Sequence, residues 1–514
     1  MNYYRAFMMN HQMRMRGTLI IFALIFFCIV SVFAAPAPVV ISVTPATAIN
    51  ETNISLIISG SGFEPGAEIL LTPVNMSPVL LSTTVGKTEE MFLVQPMDLV
   101  ALENYLYLFD LGNSFTIVNI SDPYNPVRTG RISLRTKGIA VATKGHYAYI
   151  TGGGALDIID ISDPAKPVPA GYVSNDNSGT ILREGFGIGI SGNHVFIPSV
   201  LTDSLEVFDV TDREKPVFRA RITNRDFGSK INNPNNIFVS GNYAYLTSAA
   251  SNAFEIIDIS NPRMPDHKGF LANGEGGALL TTPSSVYVKG NYAYVTSYGN
   301  NALEIIDISN PEKPVHAASL TNGETGAWLS GPYGVKVSGN YLFVGTDHTL
   351  EMIDITDPLH PHHKFSTNND SSPFIHGPGR AFDIRWRYAY VTRSKVGDGF
   401  NLSDIEPKNM LDIFDIGFIP ATNISIYNPK NAMCSVDLSG RHAGMYNLVV
   451  TNPDGQFGVL EGGFEIPESD DAKPGPDMPK EALPKTTPTA GSLPFSPIAG
   501  ILFIGIIFRK LTRE

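Results

Sequence analysis

The stretch "NALEIIDISNPEKPVHAASLT" (Asn301–Thr321) decides the fold. It opens with a run that is apolar on both faces, turns at Ser-Asn-Pro, and continues into a second run that starts at Pro314. A short strand with no polar face fits a sheet covered on each side by another sheet. The same strand recurs as "FTIVNIS", "LDIIDIS", "LEVFDVT", "FEIIDIS", "LEMIDIT" and "LDIFDIG", making seven copies. Their closing Asp or Asn falls at Asn119, Asp160, Asp209, Asp258, Asp307, Asp354 and Asp415, at spacings of 41, 49, 49, 49, 47 and 61.

Working outward, an aromatic strand such as "NYAYVT" (Asn291–Thr296) precedes each copy, and a shorter β-rich run such as "SSVYVKG" (Ser284–Gly290) comes before that. Four short strands in roughly 40–50 residues, with turn residues at each joint, describe a propeller blade. Six copies are followed by an outer strand that begins on proline, at Pro126, Pro167, Pro216, Pro265, Pro314 and Pro361. The seventh has none. "SPVLLSTTV" (Ser77–Val85) has the form of such a strand but lies before the first copy. It is predicted to pair with Leu411–Ile416 and close the ring, leaving no blade edge open.

The repeats resemble the LVIVD repeat family of β-propellers from about Met97 to Gly417, although the first copy carries Asn119 where the others have Asp. The flanks resemble the two halves of one immunoglobulin-like IPT/TIG domain. "ISVTP" and "ISGSGFEPGAEILL" stand on the N-terminal side, with "AGMYNLVVTNPDG" and "GGFEI" on the C-terminal side. Neither half alone could bury two sheets, so the propeller reads as an insertion between Glu68–Thr72 and Asn423–Tyr427. The expected fold class is all-β: a seven-bladed β-propeller inserted into an immunoglobulin-like β-sandwich, plus a C-terminal stalk and a short apolar helix.

The ends suggest an address. Arg5, Arg14 and Arg16 precede an apolar run (Leu19–Val30) and small residues Val32 and Ala34, the layout of a signal peptide. Near the other end, Glu468–Ser492 is rich in Pro, Thr and charge, and Leu493–Phe508 is apolar with Arg509, Lys510 and Arg513 behind it. This layout is similar to the sorting signals of archaeal surface proteins, and it places the globular part outside. The expected organisation is a signal peptide over 1–34, sandwich halves over 37–76 and 419–467, the propeller over 77–418, a stalk over 468–492, and a membrane anchor or sorting signal over 493–514. Cys434 is then the only cysteine of the mature chain, which excludes an intrachain disulfide. A net charge of −12 with no basic cluster in the body of the chain argues against nucleic acid as a partner.

The Asp closing each "IDIS" strand recurs in blade after blade, as a turn-capping residue would, and the paired tyrosines read as packing between blades. His360 and His362 could share a strand face, but with His363 and His376 they complete no metal-ligand spacing, and no cofactor motif is present. The sharpest candidates are the loops that leave the outer strands. Asn175, Asn224, Asn273, Asn322 and Asn368 recur there, followed by Asp226, Glu275, Glu324 and Asp370. A ring of amides and carboxylates at the propeller axis could hold a glycan or a cation, whereas Asn-Gly turns alone would produce the same letters. Glycosylation sequons stand at Asn50, Asn53, Asn75, Asn369, Asn401 and Asn423, and at Asn119 inside a blade strand. The expected function is a non-enzymatic surface protein for binding, adhesion or envelope structure, with a glycan or another surface protein as partner. The rival is a surface enzyme acting on glycans at the propeller mouth, with Asp398, Asp404 and Glu406 as unrepeated acids.

Overall fold

Seven four-stranded antiparallel sheets follow one another along the chain, six of them built from consecutive strands. Blade five shows the plan: Pro283–Lys289, Tyr292–Ser297, Ala302–Asp307 and Val315–Thr321, from the axis outward. The computed structural model describes residues 36–49, 53–75, 77–85, 96–110, 113–135, 138–175, 179–224, 226–367, 381–395 and 408–468. Blade seven takes Phe382–Arg385, Tyr388–Lys395 and Lys408–Asp415 from the end of the repeats and Val79–Val85 from the start. Thr84 lies opposite Leu411 and Ser82 opposite Ile413, so the two segments pair as the sequence led us to expect. Thr83 Oγ1 adds a 2.8 Å bond to Asp412.

Hydrophobic cores lie between blades rather than inside them. Blades four and five share Tyr245, Phe254 and Ile256 on one side and Val286, Val295 and Ile306 on the other. Blades seven and one share Tyr390, Leu411 and Ile413 against Leu99, Leu106 and Val118, so the ring closes through side chains as well as backbone. This explains the two-sided apolar strands: each sheet packs a core on both faces. The second aromatic residue of each of these strands, tyrosine in five blades and Phe196 or Phe343 in the other two, is part of these cores, and Tyr149 and Tyr294 are fully buried. The closing Asp of each third strand accepts the backbone N–H two residues on, as Asp307 does from Ser309 at 2.8 Å and Asn119 from Ser121 at 2.8 Å. That is the turn-capping role expected of it.

The strands outside the propeller depart from expectation in layout. A two-sheet sandwich was expected; the structure has one seven-stranded sheet, ordered Val39–Thr44, Ile54–Ser61, Asn431–Val436, Ile419–Asn428, Glu68–Pro73, Gly444–Thr451 and Phe457–Ile466. The long strand Ile419–Asn428 belongs to both ends of it. Its start pairs with Glu68–Pro73 and the remainder with Asn431–Val436, across two register shifts. The sheet therefore curls around a single core holding Leu56, Ile69, Leu448 and Phe464, and a bridge from Thr47 to Glu465 brings its edges together. Strands from before and after the propeller are interleaved in the order, so neither segment forms this core alone. Leu71 faces Ile419, which sets the points of departure and return side by side.

This base grips the first-to-second-strand turns of blades five and six. Lys289 donates to Gly339 O and Thr451 Oγ1, and its ammonium stands 4.3 Å from the Phe457 ring centroid. Burial pulls its pKa down to about 7. Thr72 Oγ1 donates to Asn340 at 2.8 Å, and Tyr341 OH to Pro73 O at 3.0 Å. Gly339, at φ +57°, leaves room for the base: a Cβ there would lie 2.8 Å from the Thr72 methyl. The described residues from Ala37 onward fall in one compact unit.

Candidate functional site

Because strands alternate in direction, the turns gripped by the base share one face of the disc. The fourth-to-first connections and second-to-third turns lie on the opposite face. The Asn-x-acid loops are fourth-to-first connections and so belong to that free face. The three that are described keep their acids away from the axis, where a ring was expected. Each is a short 3-10 turn (Asp226–Gly228, Glu275–Gly277, Glu324–Gly326) set against the outermost strand of the following blade. A Cβ on Gly277 would lie 3.8 Å from the His316 ring, and the backbone N–H of His363 donates to Thr325 Oγ1 at 3.2 Å.

The acids are spent on their own turns. Asp226 accepts from Thr223 N at 2.7 Å, Glu275 from Ala272 N at 3.1 Å, and Glu324 from Thr321 N at 3.0 Å. Asn273 Oδ1 accepts from Leu280 N at 2.8 Å, and Asn175 Nδ2 donates to Leu182 O. Asn224 lines an open cleft of about 370 Å³ with Gly228, Ser229, Lys230 and Ser251. Asn322 is exposed on its turn, while Asn368 and Asp370 lie outside the described residues.

First strands line the axis. Register against the second strands puts Phe238, Tyr287, Lys336 and Asp383 at equivalent places in blades four to seven. Lys336 Nζ lies 3.5 Å from Asp383 Oδ1. Asp383 also accepts from Ala101 N at 2.8 Å, and Asp98 from Val141 N at 2.9 Å. These carboxylates satisfy N–H groups on the neighbouring first strand, whose inner edge has no strand partner.

A second repeated acid escaped the sequence reading. Glu206, Glu255, Glu304 and Glu351 occupy one position in the third strands of blades three to six, and each is 0% exposed. Glu304 accepts from His316 Nδ1 at 2.6 Å and from Leu279 N at 3.0 Å. Glu255 does the same with His267 Nε2 (2.9 Å) and Lys230 N (2.9 Å), and Glu351 accepts from Trp328 N (2.9 Å) and Ser366 Oγ (2.7 Å), with His363 Nε2 at 3.0 Å. In blade three Arg221 replaces histidine, 2.9 Å from Glu206. Each glutamate therefore ties its third strand to its fourth and to the connection entering its blade, through a backbone N–H in blades four to six and through Thr180 Oγ1, at 2.8 Å, in blade three. Burial pushes the Glu255 and Glu304 carboxyls up. The signal was available in the "LEIID" spelling, where one acid interrupts an otherwise apolar run.

His360 bonds Asp357 at 2.7 Å and His363 is held by Glu351, while His376 lies outside the described residues. Among the described residues no group of three or more His, Cys, Asp or Glu could hold a metal ion. Of the sequons, Asn53, Asn75 and Asn423 are exposed on or beside the base, and the Asn119 side chain caps its own turn. Asn50, Asn369 and Asn401 lie outside the described residues, as do Asp398, Asp404, Glu406 and both terminal segments. Among the described residues no helix is long and apolar enough to cross a membrane.

No curated protein matches the chain. Among solved structures, a functionally unknown protein of Desulfotomaculum acetoxidans is 13% identical, covering 57% of this chain and 92% of its own at a TM-score of 0.45. The computationally designed Ika8 protein is 10% identical, covering 64% and 98% at 0.43. A Bacteroides fragilis protein provisionally named a 6-phosphogluconolactonase is 11% identical, covering 60% and 96% at 0.45. None of the three lends this chain an activity. The LVIVD repeat itself is matched over residues 95–133, 137–174, 233–271, 282–321 and 333–369. The chain thus carries LVIVD repeats, and they build a seven-bladed β-propeller.

Proposed function

We propose that this protein is a non-enzymatic binding protein of the cell surface, with a split IPT/TIG-type base and a C-terminal membrane attachment. One observation carries the reading. The base holds the propeller by its first-to-second-strand turns, so the face of fourth-to-first connections is turned away from the base, from which the C-terminal segment departs. A base between membrane and propeller would hold that free face toward the surroundings, where loops on a rigid scaffold serve recognition. Repeated acids on that face are bonded to backbone, so fold and turn chemistry account for them without catalysis.

The enzymatic alternative rests on Asp347, in the second-to-third-strand turn of blade six on the free face. Burial alone pushes its carboxyl up to about 6, and it packs against Gly331, where a Cβ would lie 2.1 Å from Oδ2. An unrepeated carboxyl with a raised pKa is what a general acid needs.

One experiment separates the two. Purified full-length protein is applied to a glycan panel, and the same glycans are assayed for released sugar with wild type and Asp347→Asn. Binding without turnover, unchanged in the variant, is expected. Turnover that Asp347→Asn abolishes would establish the enzyme instead.

A further inference from the structure

We propose that the cleft between blades three and four is a binding site for a carboxylate-bearing sugar, an inference that rests on the binding reading above. The repeats themselves supply the control. The connections 226–234, 275–283 and 324–332 share one geometry, each opening with a 3-10 turn at the same place. Their backbones are anchored alike: Lys230 N, Leu279 N and Trp328 N all donate to the buried glutamate of the next blade. What this scaffold requires is therefore met by alanine at positions 278 and 327 and by an apolar residue at 279 and 328. The first connection departs at both, with Ser229 and Lys230, and these are residues that line the cleft.

The departures are polar and ordered. Ser229 Oγ donates to Thr223 O at 2.9 Å, and the Lys230 ammonium stands 4.6 Å from the Phe270 ring centroid. Phe227 precedes the lining residue Gly228 and is 74% exposed, on a left-handed backbone (φ +54°) that Gly276 and Thr325 share in the other two connections. With a volume of about 370 Å³, the cleft is large enough for a small ligand.

Chemistry selects the occupant. Among the described residues, one ammonium, one amide and two hydroxyls line the cleft, and no acidic side chain does. Glu255 lies behind it, fully buried, with its oxygens bonded to Lys230 N and His267. In a chain of net charge −12 this lining favours a ligand with one negative charge and several hydroxyls. A uronic acid has that composition, its carboxylate taken by Lys230 and its hydroxyls by Asn224 and Ser251.

The test is calorimetric titration of the full-length protein with sodium glucuronate and, in parallel, glucose. Glucuronate should bind at least about tenfold more tightly than glucose, as one charge-assisted contact implies, and the preference should shrink with added salt. Lys230→Leu, which installs the residue found at position 279, should remove the preference; Ser251→Ala should weaken both sugars. Equal binding of the two sugars, no binding of glucuronate, or unchanged affinities in a folded Lys230→Leu or Ser251→Ala variant would overturn the site. If glucuronate fails while the glycan panel still registers a ligand, only this inference falls. If the panel is also silent, the binding reading falls with it.

Discussion

Replacing Glu304 by leucine should destabilise blade five by roughly 1–3 kcal/mol, a figure that follows from what the side chain leaves behind. The carboxylate is fully buried and accepts two donors, Leu279 N at 3.0 Å and His316 Nδ1 at 2.6 Å. Leucine fills similar space but accepts neither. The His316 side chain is 23% exposed and can turn toward water, so its loss is small. Leu279 N lies in a half-buried residue held between Ala278 (1% exposed) and Leu280 (0% exposed), so it turns toward water less freely. One orphaned N–H costs about 1–3 kcal/mol, the low end applying where it is only partly buried. The burial that already pushes the Glu304 carboxyl up offsets part of this, because leucine carries no charge to desolvate. Denaturant titration would give the global value, and hydrogen exchange at the Leu279 amide would locate it. Glu304→Gln, which keeps one acceptor, should lie between wild type and Glu304→Leu. A leucine variant as stable as wild type, with Leu279 exchange unchanged, would refute the idea that these glutamates fasten the blades.

Two further outcomes are expected. Asp209 is held well down, to about 2, by hydrogen bonds from Thr211 and Arg219. A folded pKa below the unfolded one gives stability that is present above about pH 4 and lost as pH falls toward 2, so the deficit of Asp209→Asn should be full at pH 7 and vanish near pH 2 in acid-denaturation curves. A chain truncated after Ser492 should appear in the culture medium, and retention of that form in the membrane fraction would move the anchor to the N-terminal segment.

Much of this protein is legible in one dimension because its rules are local. The period of the third strand, the proline that opens each fourth strand and the missing seventh partner are facts about spacing. From them follow the blade count and the role of Val79–Val85. The Asp that ends each third strand was equally readable, since it bonds an N–H only two residues away. Three features depended on the third dimension. Glu304 sits in a strand whose alternation alone leaves its side chain's surroundings open, and its partners, at positions 279 and 316, come close only once the strands pair. The Asn-x-acid loops are evenly spaced, yet spacing fixes equivalence between blades and not radius; packing against the next outermost strand holds them away from the axis. The flanking halves announced that they needed one another, but whether they stack as two sheets or curl as one turns on Ile419–Asn428, whose register shifts let a single strand serve both ends of the sheet. Sequence determined the number and order of the parts, because those rest on local periodicity; the tertiary structure decided which polar groups are buried and how far each loop lies from the axis, because those rest on contacts between distant strands.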